Sequence, residues 1–156
     1  MTLLRTLILV ATSTLAFAAA GAECTRQEAI AAEEIASGLR SWPEVHSAFA
    51  RFHHCDDGAI GEGFSESVSI LVAEHWEQLG ILSKLAAKNH SFRQFVLGHL
   101  DETVPADRWS VIEANAKEHC PLSARTLCKG ILSRSHELTA NSAVQGTLRD
   151  KAAQRP

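Results

Sequence analysis

Residues 53–79 read HHCDDGAIGEGFSESVSILVAEHWEQL, and the fold turns on this stretch. From Ile60 onward, Ile60, Phe64, Val68, Leu71, His75 and Leu79 follow one another at steps of three or four residues. At about 100° per residue they form one stripe, flanked by Val72 and Trp76, with Glu62, Glu66, Ser69, Ala73 and Glu77 opposite. The spacing predicts a helix of about twenty residues, about 30 Å long, which is the breadth of a small domain. Asp56 and Asp57 bring acceptors and negative charge to its N-terminus. Gly61 and Gly63 leave room for another backbone to come close.

Upstream, Thr25-Arg26-Gln27-Glu28 is a capping box opening a first helix, in which Ile30, Ala31, Ile35 and Leu39 recur near helical spacing, with Gly38 as its stop. Ser41-Trp42-Pro43-Glu44 repeats the device with proline just inside the start. Trp42, Val45, Phe49 and Phe52 then give the second helix one apolar face. Downstream, Gly80 is expected to end the central helix. Ile81, Leu82, Leu85 and Ala86 make a short fourth helix closed by Lys88-Asn89. Ser91-Phe92-Arg93-Gln94 reads as a third capping box, with Phe92, Phe95, Val96, His99 and Leu100 inward. Thr103-Val104-Pro105 starts another helix that carries Trp109, Ile112 and Ala116 to Cys120, where Pro121 stops it. A last helix from about Ser123 carries Leu127, Cys128, Ile131 and Leu132.

Sustained period-two alternation is missing, so the expected class is all-α. The expected architecture is a compact bundle of six or seven short helices around one long central helix, stapled by two disulfides. It forms a single domain over residues 23–138, and the polar, unpatterned segment 139–156 is expected to be a disordered tail. Residues 1–22, MTLLRTLILVATSTLAFAAAGA, have the form of a secretory signal peptide. Arg5 precedes an apolar run, and Ala20-Gly21-Ala22 offers a small-residue cleavage site. The run is short for a membrane span, so the mature chain is expected in the periplasm or outside the cell, without membrane insertion. A formal net charge of -3 with mixed signs excludes an electrostatic footprint for nucleic acid.

Four cysteines, Cys24, Cys55, Cys120 and Cys128, fit two disulfides in an exported chain. Three pairings are possible. Cys24–Cys55 and Cys120–Cys128 are expected, because each pair flanks a local helical unit. His53, His54, Cys55, Asp56 and Asp57 are consecutive metal-ligating types, but neighbouring side chains point apart and cannot all meet one ion. A disulfide and a helix cap account for the last three, which leaves His53 and His54 as weak metal candidates and no cofactor expected. His75 and His99 fall on apolar faces, where a core histidine and a general base look alike. GxSxG and HExxH are absent, and Gly58–Gly63 is not GxGxxG, so no catalytic residue is assigned. Glu62, Ser65, Glu66 and Ser69 form a small acidic strip, the candidate binding face for a basic partner.

The segment CDDGAIGEGFSESV, the F-x-x-F-V-L-x-H-L segment and the late C-P…C pair resemble a group of small exported bacterial helical proteins, over roughly residues 24–132. The resemblance implies export and disulfides and carries no activity with it. Bacterial amidase-immunity proteins of type VI secretion are similar in size, export, helicity and disulfides alone. The expected function is a non-enzymatic protein-binding module, inhibitor- or immunity-like, whose partner is another exported protein. A metal- or acid-responsive envelope protein using the histidines is the alternative, and an enzyme the second alternative.

Overall fold

A computed structural model describes residues 23–153; the signal-peptide assignment to residues 1–22 lies outside them. Seven α-helices follow in order: α1 (Arg26–Ala36), α2 (Trp42–Phe52), α3 (Gly58–Glu74), α4 (Leu79–Lys88), α5 (His90–Gly98), α6 (Ala106–Glu118) and α7 (Arg125–Ala153). Short 3-10 turns at His53–Cys55, Trp76–Gln78 and Leu122–Ala124 join them, and the described residues contain no strand. The all-α class holds, as do both disulfides: Cys24–Cys55 and Cys120–Cys128, with Cα separations of 4.9 and 6.2 Å. The first ties Cys24, just ahead of the α1 N-cap Thr25, to the turn after α2. The second ties the start of the α6–α7 connection to the first turn of α7.

Helix α3 is the centre of the bundle, and its small residues allow it. Beyond Ile60, Phe64, Val68, Leu71 and Val72, it also buries Ser65, Ser67, Ser69 and Ala73. Short side chains on several faces let neighbours pack all round it. The end of α1 crosses at Gly63, where an added Cβ would stand 2.8 Å from the Ala36 Cβ. One turn on, Ser67 Oγ donates to the Ala36 carbonyl (2.6 Å) and accepts from the Leu39 amide (3.1 Å). That hydroxyl thereby satisfies a carbonyl left over at the α1 terminus. On another face Arg108 of α6 makes a two-pronged ion pair with Glu66 (2.6 and 3.1 Å) and donates to Ser69 Oγ. Asn115 donates to the Ala73 carbonyl. Phe49, Phe64, Phe92 and Phe95 meet at ring-centroid distances of 5.1 to 5.4 Å and fill the space between α2, α3 and α5.

Several sequence expectations about element ends are corrected. The central helix stops at Glu74, not Leu79, and His75 leaves the helical conformation at φ -123°, ψ 43°. Trp76 begins a 3-10 turn and its indole N–H reaches the His119 carbonyl at 3.0 Å. Leu79 and Leu82 stay buried because the chain changes direction without losing its apolar spacing. Gly80 therefore breaks nothing and lies inside α4. Helix α5 is capped by Asn89, whose side chain accepts from the Phe92 amide at 3.0 Å, and not by Ser91. The same Asn89 closes α4 through its own amide, bonded to the Leu85 carbonyl. The polar segment from 139 is helical over its described residues. Helix α7 continues to Ala153, with every side chain from Ala140 to Gly146 exposed. Helix needs no buried face where alanine and long polar residues favour it, and that is why the apolar pattern missed it.

Candidate functional site

Two features carry chemistry: a part-buried polar chain beside α3 and a groove between α6 and α7. The polar chain begins with Asp56, just ahead of the α3 N-cap Asp57. Asp56 Oδ2 lies 3.1 Å from His99 Nε2. His99 Nδ1 lies 3.0 Å from Ser65 Oγ, which donates to Asp101 Oδ2 at 2.8 Å. Asp101 Oδ1 accepts from the Thr103 amide (2.9 Å) and hydroxyl (2.6 Å), and the Asp101 carbonyl accepts from the Trp109 indole (3.2 Å). His99 ends α5 and is buried to 7 % exposure, with Phe95 and Phe64 against its ring. A cleft of about 550 Å³ opens beside it, lined by Asp56, Glu62, Asp101 and Thr103 among others. Burial pushes the Asp101 carboxyl up. The Thr103 hydroxyl and amide, Ser65 and the charge of His99 more than offset this and hold it below its ordinary value.

The groove has a volume of about 880 Å³. Val104, Pro105, Trp109 and Leu138 give it an apolar lining, and Glu102 and Glu118 stand on it as exposed carboxylates. Glu113, also on the groove, is occupied by Lys117 (2.6 Å) and by the Ser135 hydroxyl. These two contacts hold its carboxyl below the ordinary value. The exposed turns of α7 around Thr139 and Ser142 extend the groove past the body of the bundle. Glu102 and Glu118 have no ion-pair or hydrogen-bond partner among the described residues, and Lys117 is the one basic residue on the lining.

The strip of Glu62, Ser65, Glu66 and Ser69 does come together, lining a cleft of about 360 Å³ with Thr103 and Val104. It is not the open face that the helical spacing suggests. Ser65 and Ser69 are 2 % and 0 % exposed, and Glu66 is tied to Arg108; only Glu62 is exposed. A serine on a helix carries no signal of its own burial, since it can satisfy itself on a neighbour's groups.

His53 turns back to the Phe49 carbonyl (2.9 Å), while His54 approaches Glu28 (3.4 Å), so the pair does not converge. Glu28, His54 and Cys55 lie within 4.8 Å of one another, but Cys55 is oxidised and offers no thiolate. His75 is half-buried, beside Glu77. Sequence reasoning flagged His99 and missed its partners. Asp56 and Asp101 are 43 and 2 residues away, and no spacing rule links them.

No protein-family model, curated protein or solved structure matches this chain.

Proposed function

We propose that this chain is an exported, non-enzymatic protein-binding module of the inhibitor or immunity kind, and that it takes an apolar, basic segment of another exported protein into the α6–α7 groove. The carrying observation is the groove itself, an apolar trough with two unpaired carboxylates on it. Unpaired carboxylates beside desolvated surface favour basic partners and penalise acidic ones. Two disulfides on a compact helical frame keep the ordering cost of binding low. Residues 1–22 supply the export signal, and no helix of the described residues is long and apolar enough to cross a membrane. The non-enzymatic reading draws support from Ser65. Its hydroxyl is committed to Asp101 in the middle of a helix, so the Asp–His–Ser succession presents no free nucleophile.

The test is site-specific photo-crosslinking in producing cells, with a benzophenone side chain at Ser110 or Ser142 on the groove, or at Glu33 on the exposed face of α1. The expected result is one exported protein joined at Ser110 and Ser142 but not at Glu33, through a segment carrying lysine or arginine among apolar residues. Reversing Glu102→Lys with Glu118→Lys should lower the yield about tenfold. Labelling at Glu33 alone, no adduct at either groove position, or full capture by the charge-reversed chain would overturn the reading.

A further inference from the structure

The contacts of His99 fix how many protons it carries. Three short contacts run in series: Asp56 to His99, His99 to Ser65, and Ser65 to Asp101. A carboxylate only accepts, and a serine hydroxyl has one proton. If Ser65 gives that proton to Asp101, its oxygen must receive one from Nδ1, while Asp56 must receive one from Nε2. All three contacts are hydrogen bonds only when the imidazole holds both protons. A neutral ring leaves one of them as two lone pairs facing each other, at Asp56 or at Asp101, and that contact is lost as a hydrogen bond.

The surroundings agree with a cation. His99 sits at the C-terminus of α5, where the helix dipole favours positive charge. Asp56 from the chain ahead of α3 and Ser65 of α3 bond its ring, Asp101 of the following loop stands beyond Ser65, and Glu62 of α3 lines the same cleft. The adjoining cleft carries no lysine or arginine. From α7, Arg134 reaches the Leu100 carbonyl and pairs with Glu137, so its charge is already satisfied. Deprotonating the ring would leave Asp56, Glu62 and Asp101 unopposed around one cleft.

We propose that Asp56, His99, Ser65 and Asp101 are a proton-dependent clamp that fixes the 101–105 loop at the end of the α6–α7 groove. Asp101 transmits it: one carboxylate oxygen takes Ser65, the other takes Thr103, and its carbonyl takes the Trp109 indole. Glu102, Thr103, Val104, Pro105 and Trp109 all line the groove. With both protons present the loop is held; loss of the Nδ1 proton turns the Ser65 hydroxyl toward the ring, which frees Asp101 to turn toward solvent and loosens that end. The consequence for partner binding, tighter in acid than in neutral medium, rests on the groove reading. The clamp itself does not.

The experiment uses the full mature chain without any partner, between about pH 5 and pH 8. Ring ¹⁵N shifts of His99 and the exchange protection factor of the Thr103 amide are followed together by NMR. At the acid end both ring nitrogens should be protonated and Thr103 protected. As the ring loses its proton, Thr103 protection should fall about tenfold in parallel. Ser65→Ala should keep the near-UV circular dichroism of the native fold and abolish the pH dependence of Thr103. A neutral His99 ring at the acid end, Thr103 protection that ignores the ring, or an unchanged Thr103 profile in Ser65→Ala would each overturn the clamp. Because these readouts need no partner, a working clamp with pH-independent crosslinking would count against the groove reading alone.

Discussion

At the scale of single residues, Gly63 and Gly80 respond to alanine with opposite signs. Both lie in helices, where alanine is intrinsically better than glycine by up to about 1 kcal/mol. At Gly80 a Cβ meets nothing within 4 Å, so Gly80→Ala should stabilise the chain by about 0.5 kcal/mol in urea unfolding. At Gly63 the same atom would stand 2.8 Å from the Ala36 Cβ and 3.1 Å from the Ser37 nitrogen. Backbone cannot step aside as a flexible side chain can, so Gly63→Ala should cost about 1–3 kcal/mol. Ser67→Ala should cost a similar amount, about 1–3 kcal/mol, by stranding the buried Ala36 carbonyl and Leu39 amide. Gly63 was legible as a close approach, because two glycines at the start of a strong helix have few other uses. The serines were not. Ser65, Ser67 and Ser69 share a residue type, yet their burial is decided by a His99 ring, an α1 carbonyl and an Arg108 guanidinium that fold in from far along the chain.

At the scale of elements, the two bridges should differ in worth. On chain-entropy grounds the Cys24–Cys55 link, spanning 31 residues, contributes about 3.5 kcal/mol, and Cys120–Cys128, spanning 8, about 2.5 kcal/mol. Replacing the first pair by alanine should therefore lower the urea midpoint more than replacing the second. The α3–α6 contact gives a pH signature of its own. The two-pronged hydrogen bond from Arg108 holds the Glu66 carboxyl below its ordinary value of 4.5. A carboxylate lowered on folding stabilises fully above its unfolded value and loses that contribution as pH falls through the folded one. Asp101 and Glu113 are lowered too and act in the same direction. Unfolding free energy should thus decline below about pH 4.5, and Glu66→Gln should flatten the decline by about 1 kcal/mol or less, since that carboxylate is partly screened by water. Helix starts marked by Thr25, Ser41 and Asp57 could be read directly, because a cap is a local hydrogen bond. The break at His75 could not. A kink that preserves apolar spacing leaves the same pattern as a straight helix, and the indole bond that fixes it comes from His119.

At the scale of the whole molecule, the all-α class of six or seven helices followed from periodicity, and both disulfides from cysteine pairs that each flank a local helical unit. The groove did not, because it exists only once α6 and α7 lie side by side. Its outer end is built by turns of α7 that bury little. Truncation after Ala140 should therefore leave the unfolding free energy within about 1 kcal/mol of the full chain, yet abolish crosslinking from Ser110. Loss of the cooperative melt in that variant would mean that the end of α7 belongs to the core and not to the binding surface.

The pairing of the cysteines also bears on manufacture. Both bridges join neighbours in sequence order, first with second and third with fourth. A chain that enters an oxidising compartment N-terminus first presents Cys24 and Cys55 to each other before Cys120 has arrived. The last pair then meets with every earlier thiol already spent. A simple thiol oxidase, acting on each pair as it emerges, lays down the native bonds without trial and error. If the chain is exported as proposed, yield should suffer when such an oxidase is removed and stay level when a disulfide isomerase is, which comparing folded protein from the two deletion strains would reveal.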